Sequence, residues 1–502
     1  MTQYSRSITD PVYQSYDLPK SCFQFIDTPE FQRLRDIKQL STASYVFPTA
    51  NHTRFDHSLG VAHLARSWAT DFYIKHEQPR ELRRNVDLVT FGALLHDIGH
   101  CAFSHSFDGL FLKKVRPEVQ WTHEMGSVKL FEKMVDDYNL DFTKQDANFI
   151  EAVIHGQNPT RDSSMDYYFQ IVSNSLTSVD VDKFDYILRD CLFVGLSGFK
   201  HNRIVQNAQI INGSICFDSK TAYEVHKLFN TRYDLFKEIY SHRVGKAVEL
   251  MICDAFIEAD QELGISAAID DMDQYLTLTD SILYRIEHST SHSLSKAREI
   301  IKRIKTRKLY AHVGEVLLSP SDKEIVKIPT EEDISSRSDG QLFPSDLIVN
   351  VSKLSYASAE NIWANLKFYK PYQPDVSFTL SLDDVSKLGP TVLQEYLVHV
   401  FVRDPSKRLA AATAATKYFQ QFSPLVSFKP SRKSEATQPI SSQHSNVYEY
   451  PLSPPTLINA SLASKEISMS QSPVSKPRIV VEPFTSGSSS QKSSQGVALF
   501  KL

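Results

Sequence analysis

A mainly helical fold is predicted: a helical core, a small α+β lobe near the C-terminal end and a disordered tail. Three observations carry this. Apolar residues recur at helical spacing through the first 260 residues, while apolar alternation appears only from Asp346 onward. From about Ser423, Ser, Pro, Gln and Lys dominate, leaving too few apolar side chains to offset the entropy of ordering.

Taken in order, residues 55–74 set Leu59, Ala62, His63, Leu64 and Trp68 near helical spacing, and residues 85–96 form a second apolar helix stopped by Gly99. Residues 121–138 and 150–155 read as helices, and Val179, Val181, Phe184, Ile187 and Leu188 line one stripe of 177–191. GSICFDS (213–219) is a short strand, and residues 225–263 return to long helices. Further helices are expected over 268–315, where SLSKAREIIKRIKTRKLY reads as a solvated helix face. DLIVNVSKL and VSFTLSL are strand patterns, and a last helix is expected near 390–419. The expected organisation is therefore a core over 1–315, a lobe over 316–422 and a Ser/Pro-rich tail over 423–502. Ser423-Pro424, Ser453-Pro454 and Ser472-Pro473 are candidate sites for proline-directed kinases.

The 502 residues are 41% hydrophobic and 23% charged, the balance of a soluble globular protein with polar extensions. A net charge of -4 argues against bulk electrostatic binding to nucleic acid or anionic lipid. Cys22, Cys101, Cys191, Cys216 and Cys253 show no CxxC spacing, which points to a reducing compartment. Neither a signal-peptide pattern nor an 18-residue apolar run occurs, so an intracellular location without a membrane span is expected, in nucleus or cytoplasm.

Eight of the 17 histidines fall between residues 52 and 123. His96-Asp97 stands out among them. It follows an apolar helix, Gly99 permits a tight turn beside it, and His100 and His105 add proton-transfer groups. Adjacent His and Asp diverge by about 100° on a straight helix, so the pair shares a metal only at a helix end or with one side chain reaching across. His57 and Asp182 would complete a site of two imidazoles and two carboxylates, suited to Mn, Fe, Mg or Zn carrying water.

The order His57…His96-Asp97…Asp182 resembles the HD superfamily of metal phosphohydrolases. More narrowly, residues 6–420 resemble the catalytic region of the SAM-and-HD-domain dNTP triphosphohydrolases, through DTPEFQRLRDIKQL, YVFPTANHTRFDHSLGVAHLA, LLHDIGHCAFSHSFDG, IVSNSLTSVDVDKFDYILRDC and HRVGKAVELMICDAF. The resemblance begins almost at the first residue, so a preceding SAM domain is not expected. It implies an HD-domain helical core, a divalent metal on His57, His96, Asp97 and Asp182, and cleavage of dNTPs to deoxynucleoside and triphosphate. His105, supported by Asp108, would protonate the leaving 5′ oxygen, with His100, His123 and Glu124 in the catalytic polar cluster. Arg54, Lys183, Tyr186 and Arg232 would hold the triphosphate, Gln39 and Asp190 the 3′-hydroxyl, and Leu40 and Tyr240 would exclude a 2′-hydroxyl.

The resemblance also implies a homo-oligomer, dimer or tetramer, with GTP and dNTPs as activators. Arg6, Asp27, Gln32 and Arg35 correspond to the first regulatory nucleotide's contacts, and Val46, Arg203, Lys220, His242, Arg243 and Arg298 to the second's. Asp218 departs from an arginine there, His226 from an asparagine, and in the active site Phe236 departs from a histidine. An aspartate beside a phosphate repels it, which puts the second regulatory site in question. Two alternatives remain at this point: another HD reaction (nucleotidase, phosphodiesterase or nuclease), and a catalytically weak nucleotide- or nucleic-acid-binding regulator.

Overall fold

The computed structural model describes residues 5–160, 162–357 and 362–431. The chain opens with a hairpin, β1 (Ser5–Asp10) and β2 (Gln14–Pro19), where helices were expected. Its short polar strands give a weak sequence signal, and the hairpin's end is tied into the core by Leu18 and Asp10, both buried.

The body is helical. α1 (Arg54–Lys75) starts at a capping box in which Thr53 and Asp56 satisfy each other, and it is buried along most of its length. α2 (Arg83–Leu95) and α5 (Val181–Val194) flank α1, with α3 (His123–Asp137) and α4 (Lys144–His155) beyond. Trp68, fully buried on α1, packs 5.7 Å from Phe184 of α5. At Gly60 an added Cβ would lie 1.9 Å from Asp185 Oδ1, so only glycine lets α1 and α5 approach this closely.

β3 (Ala208–Ile211) and β4 (Ser214–Asp218) form a hairpin closed by Asn212-Gly213, both at positive φ. α6 (Ala222–Asp234) and α7 (Arg243–Leu263) follow, joined through a wide π-type turn over Leu235–Tyr240. α8 (Ser295–Lys305) buries Ala297, Ile301 and Ile304 and leaves its charges in solvent, as expected for a solvated face.

The C-terminal lobe differs from expectation in two places. Residues 311–315 belong to β5 (Ala311–Leu318), and the first half of the expected last helix is β9 (Gln394–Val402). QEYLVHVFV is a short apolar run, and period alone does not separate a buried strand from a helix there. The helix, α9 (Arg408–Gln420), starts only after Pro405. β6 (Leu347–Ser355) and β10 (Lys429–Pro430) complete the antiparallel order β10-β5-β9-β6. β7 (Lys367–Lys370) and β8 (Gln373–Thr379) instead extend the β3–β4 hairpin, β7 pairing parallel with β4. The lobe and the helical core thus share a sheet, and the described residues fall in one compact unit.

Folded chain continues past residue 423: Val426 is buried and Phe428 stacks 5.3 Å from Phe419. The remainder of the expected tail, with Ser453 and Ser472, lies outside the described residues. No helix among the described residues is long and apolar enough to cross a membrane.

Gly99 acts by close approach. A Cβ there would meet the His123 carbonyl oxygen at 2.1 Å and the Ser127 nitrogen at 2.2 Å, both backbone atoms that cannot swing aside. Gly99→Ala is therefore expected to cost at least about 1–3 kcal/mol, the usual scale for overpacking, and to displace α3 from the His96-Asp97 turn. Urea denaturation checks this, and an unchanged midpoint would contradict it.

Candidate active site

Three helices bring four donors together. His57 lies on the first turn of α1, Asp182 on the first turn of α5, and His96-Asp97 follows directly where α2 ends. His57 Nε2 is 3.2 Å from Asp182 Oδ1 and 3.6 Å from Asp97 Oδ2. His96 Nε2 is 3.5 Å from Asp97 Oδ1 and 3.6 Å from Asp182 Oδ1. Because α2 stops at Leu95, the divergence of adjacent side chains does not prevent His96 and Asp97 from converging.

These residues fit a divalent cation. His96 Nδ1 is 2.7 Å from the Ala93 carbonyl, which fixes the ring, while its Nε2 is buried without a hydrogen-bond partner among the described residues. Donor atoms of His57, His96 and Asp97 all lie within 4.8 Å of one another. Burial alone would push His57 down, but bonds to Asp182 and Asp185 and the charge of Asp97 outweigh it and raise it to about 10. Burial likewise opposes ionisation of Asp97 and Asp182, yet the neighbouring histidines, and Arg54 for Asp97, hold both below the carboxylate range. The cluster is rich in anionic oxygen, and the HD domain implies use of a divalent metal.

Behind the donors, Asp185 Oδ2 accepts from His57 Nδ1 at 2.8 Å. Arg189, fully buried, grips both Asp185 oxygens at 2.9 Å and reaches Asp10 of the hairpin at 2.8 Å. This Asp10–Arg189–Asp185–His57 chain fixes the ring and ties the N-terminal hairpin to the site. Asp185 and Arg189 had no place in the sequence reading, although Asp185 sits one turn after Asp182, where a partner to its neighbours is geometrically natural.

A second group lies beside the first. His100 and His123 stack with centroids 3.8 Å apart, and His105 stands 4.9 and 5.3 Å from them. Asp108 joins two of them, 3.7 Å from His105 Nδ1 and 3.5 Å from His123 Nδ1. Burial, with Arg54 and His123 as charged neighbours, keeps His100 well below its usual range. Burial lowers His123 too, but Asp108, Asp97 and Glu124 raise it on balance. The preceding loop is strained, with Phe103 and Ser104 at φ 58° and 51°. Asp280, which burial raises to about 6, pins it by accepting the Phe103 N–H at 2.7 Å and the Lys38 N–H at 3.0 Å.

Both groups open on a cavity of about 530 Å³. Arg54, Lys183, Tyr186 and Arg232 line it, with Gln39, Leu40, Asp190, Phe236 and Tyr240. Asp190 Oδ1 is 2.6 Å from His52 Nε2, and its Oδ2 accepts from the Tyr240 hydroxyl. The Gln39 amide oxygen is buried without a partner among the described residues. Arg54 donates to Ser104 Oγ at 2.8 Å and to Asp97, Lys183 is 2.8 Å from Asp180, and the Arg232 guanidinium lies 4.4 Å from the Phe236 ring. His96 and Asp108 are not among the lining residues. Ser104, Lys246 and Glu249 also line the cavity; they lie inside two of the blocks that carry the resemblance but were not singled out as site residues.

Arg6, Asp27, Gln32 and Arg35 lie outside this cavity. Arg6 pairs with Asp27 at 2.7 Å, Arg35 donates to Gln32 at 2.8 Å, and Gln32 donates to the Ile26 carbonyl at 2.7 Å. In the other set, Arg203 pairs with Glu224, Arg298 bonds the Ser291 carbonyl at 2.6 Å, and His242 packs 5.7 Å from Phe47 beside Val46. Asp218 is buried and accepts the Lys220 N–H at 2.9 Å, while His226 bonds the Tyr356 hydroxyl at 2.6 Å.

The HD domain family matches residues 54–190, the stretch that holds both groups. The chain is 37% identical over 429 residues to the deoxynucleoside triphosphate triphosphohydrolase SAMHD1 homolog of Dictyostelium discoideum, covering 84% of this chain and 83% of that protein. It is 35% identical over 462 residues to Homo sapiens deoxynucleoside triphosphate triphosphohydrolase SAMHD1, covering 83% and 73%. A putative HD domain-containing protein of Acanthamoeba polyphaga mimivirus, L394, is 29% identical over 453 residues. With similarity of this extent around an assembled site, the chain belongs to the HD-domain family of deoxynucleoside triphosphate triphosphohydrolases.

Proposed function

We propose that this chain hydrolyses deoxynucleoside triphosphates in one step to deoxynucleoside and inorganic triphosphate, with a divalent metal held by His57, His96, Asp97 and Asp182. The supporting observation is one cavity that joins the metal-type donors, a histidine group, cationic side chains and a polar end at Asp190. The bound metal, Mn, Fe, Zn or Mg, would lower the pKa of water and polarise a phosphoryl oxygen.

The chain's own residues do the rest. Arg54, Lys183 and Arg232 offset the charge of the triphosphate, and the Tyr186 hydroxyl adds a donor. Gln39 and Asp190 take the 3′-hydroxyl, with Asp190 held in place by His52 and Tyr240. Leu40 and Tyr240 close the space beside the sugar's 2′ carbon. His105 carries the proton to the leaving 5′ oxygen. Its side chain lines the cavity and is 69% exposed, and Asp108 orients its ring from the Nδ1 side. His100, His123 and Glu124 form the polar wall between His105 and Asp97.

His105→Gln is expected to lower kcat by about 100- to 10,000-fold with bound metal unchanged. Steady-state rates and elemental analysis read the two effects separately, and a normal kcat would take His105 out of this role. Turnover of each dNTP against its NTP tests the sugar assignment: dNTPs alone should be cleaved, and Leu40→Ala should admit NTPs.

We further propose a homo-oligomer, dimer or tetramer, activated by GTP and dNTPs through Arg6, Asp27, Gln32 and Arg35, then Val46, Arg203, Lys220, His242, Arg243 and Arg298. Beside the second set, Asp218 accepts the Lys220 N–H and His226 bonds the Tyr356 hydroxyl. Added GTP should raise dNTP turnover and shift the protein to a larger species. The five free thiols support an intracellular location, in nucleus or cytoplasm.

A further inference from the structure

The lobe's sheet carries a separate donor cluster built by a bulge. In a regular strand, residues three apart face opposite sides. The β5–β9 register shifts between His312 and Gly314, so His312 lies opposite Phe401 and Glu315 opposite His399. His399 and Phe401 are two apart and share a face, and the extra residue therefore turns His312 and Glu315 to the same side. On β9's other edge, Asn350 of β6 pairs with His399.

The three side chains converge. His312 Nε2 and His399 Nε2 each lie 3.9 Å from Glu315 Oε2, and the two rings are 4.9 Å apart. His399 is 2% exposed, and both its ring nitrogens are buried without a hydrogen-bond partner among the described residues. The same is true of His312 Nε2 and Asn350 Oδ1. Native interiors rarely leave this many polar atoms unsatisfied, and each such group asks for a ligand. Ser431 Oγ, 2.5 Å from His312 Nδ1, fixes that ring with Nε2 toward Glu315, the arrangement by which a metal-binding histidine is oriented.

The donor set, two imidazoles and one carboxylate, selects the class of ligand. Burial, aided by His399, Arg243 and Arg408, pushes His312 down to about 3. Burial, with Lys246, Arg243, Lys237 and His242, pushes His399 down to about 4. With no hydrogen-bond partner at His312 Nε2 or at either His399 nitrogen among the described residues, the rings have lone pairs to offer a cation. They do not present the N–H donors on every side that an anion needs, and the Glu315 carboxylate repels an anion further. A hard cation such as Mg or Ca requires more oxygen ligands than one carboxylate in this basic neighbourhood, whereas imidazole nitrogen suits later first-row metals.

We propose that His312, His399 and Glu315 bind a divalent transition ion of the zinc class, with the Asn350 amide oxygen as the adjacent fourth donor. The bound ion would cross-link β5 and β9 and, through Ser431, hold the last described residues against the sheet. Donors around tetrahedral zinc stand about 3.3 Å apart for bonds near 2.0–2.1 Å. The half-exposed Glu315 side chain needs only a small movement to reach that spacing from 3.9 Å.

The test is metal content of the full chain, purified without a histidine tag and dialysed against cobalt(II). Glu315→Gln and His312→Gln should each hold one equivalent less than the parent, and should lose part of the cobalt visible absorption. Their dNTP turnover with saturating Mg should be unchanged. Equal cobalt content in the parent and Glu315→Gln would overturn the proposal. Glu315 is partly solvated, so this comparison stands even where His312→Gln fails to fold.

Discussion

Asp182→Ala is expected to lower dNTP turnover by at least about 1,000-fold while the thermal midpoint stays within a few degrees of the parent's. The two effects separate because of where Asp182 sits. Its side chain is 32% exposed at the start of α5, and its contacts are His57 and His96, with no part in the apolar core. Removing it subtracts a carboxylate from the quartet and leaves packing intact. Chelation of the parent should reproduce the rate loss, and added Mn or Mg should restore the parent but not the variant. Steady-state kinetics with a circular dichroism melt reads both quantities. Near-normal turnover in the variant would remove Asp182 from the site.

Asp185→Ala should behave in the opposite way, with stability as its main loss. Asp185 is fully buried, takes two bonds from the buried Arg189 and one from His57 Nδ1, and fills the space that Gly60 leaves. Its deletion leaves the buried guanidinium with Asp10 alone and two of its donors without acceptors, and removing one partner of a buried pair typically costs about 3–5 kcal/mol. It also frees the His57 ring, which should weaken metal binding by about 10- to 100-fold. The triple variant Asp10→Asn/Asp185→Ala/Arg189→Met, which leaves no buried charge without its partner, should recover much of the stability but not the metal affinity, a split readable by denaturation and metal titration.

The pH dependence has a definite sign. Burial opposes ionisation of Asp185, but Arg189 and His57 outweigh it and hold the carboxyl below its usual range. Its contribution is therefore present above the ordinary carboxylate pKa, near about pH 4, and is lost as pH falls below that. The parent should show this acid loss of stability, and Asp185→Ala should show less of it.

Much of the site was legible because its chemistry is local in sequence. His96-Asp97 follows its helix directly, His57 and Asp182 each sit in a helix's first turn, and the long helices declare themselves by period. What escaped depends on contacts between distant segments. Arg189 is held by Asp10, 179 positions away, and His52 by Asp190 across 138. The strand β9 looked helical because a central strand covered on both faces loses its alternation. In β5 the bulge at His312–Gly314 broke the alternation that would have marked it. Residues 424–431 looked like tail because their two anchors, Val426 and Phe428, are sparse, and only the sheet and α9 give them something to pack on.

The most direct measurement is phosphorus NMR of dGTP turnover by the full chain with Mg in ¹⁸O-labelled water. Attack at the α-phosphorus predicts inorganic triphosphate as the sole phosphorus product, labelled on one terminal phosphorus, beside unlabelled deoxyguanosine. Deoxyguanosine monophosphate with pyrophosphate, or released orthophosphate, would contradict the proposed reaction.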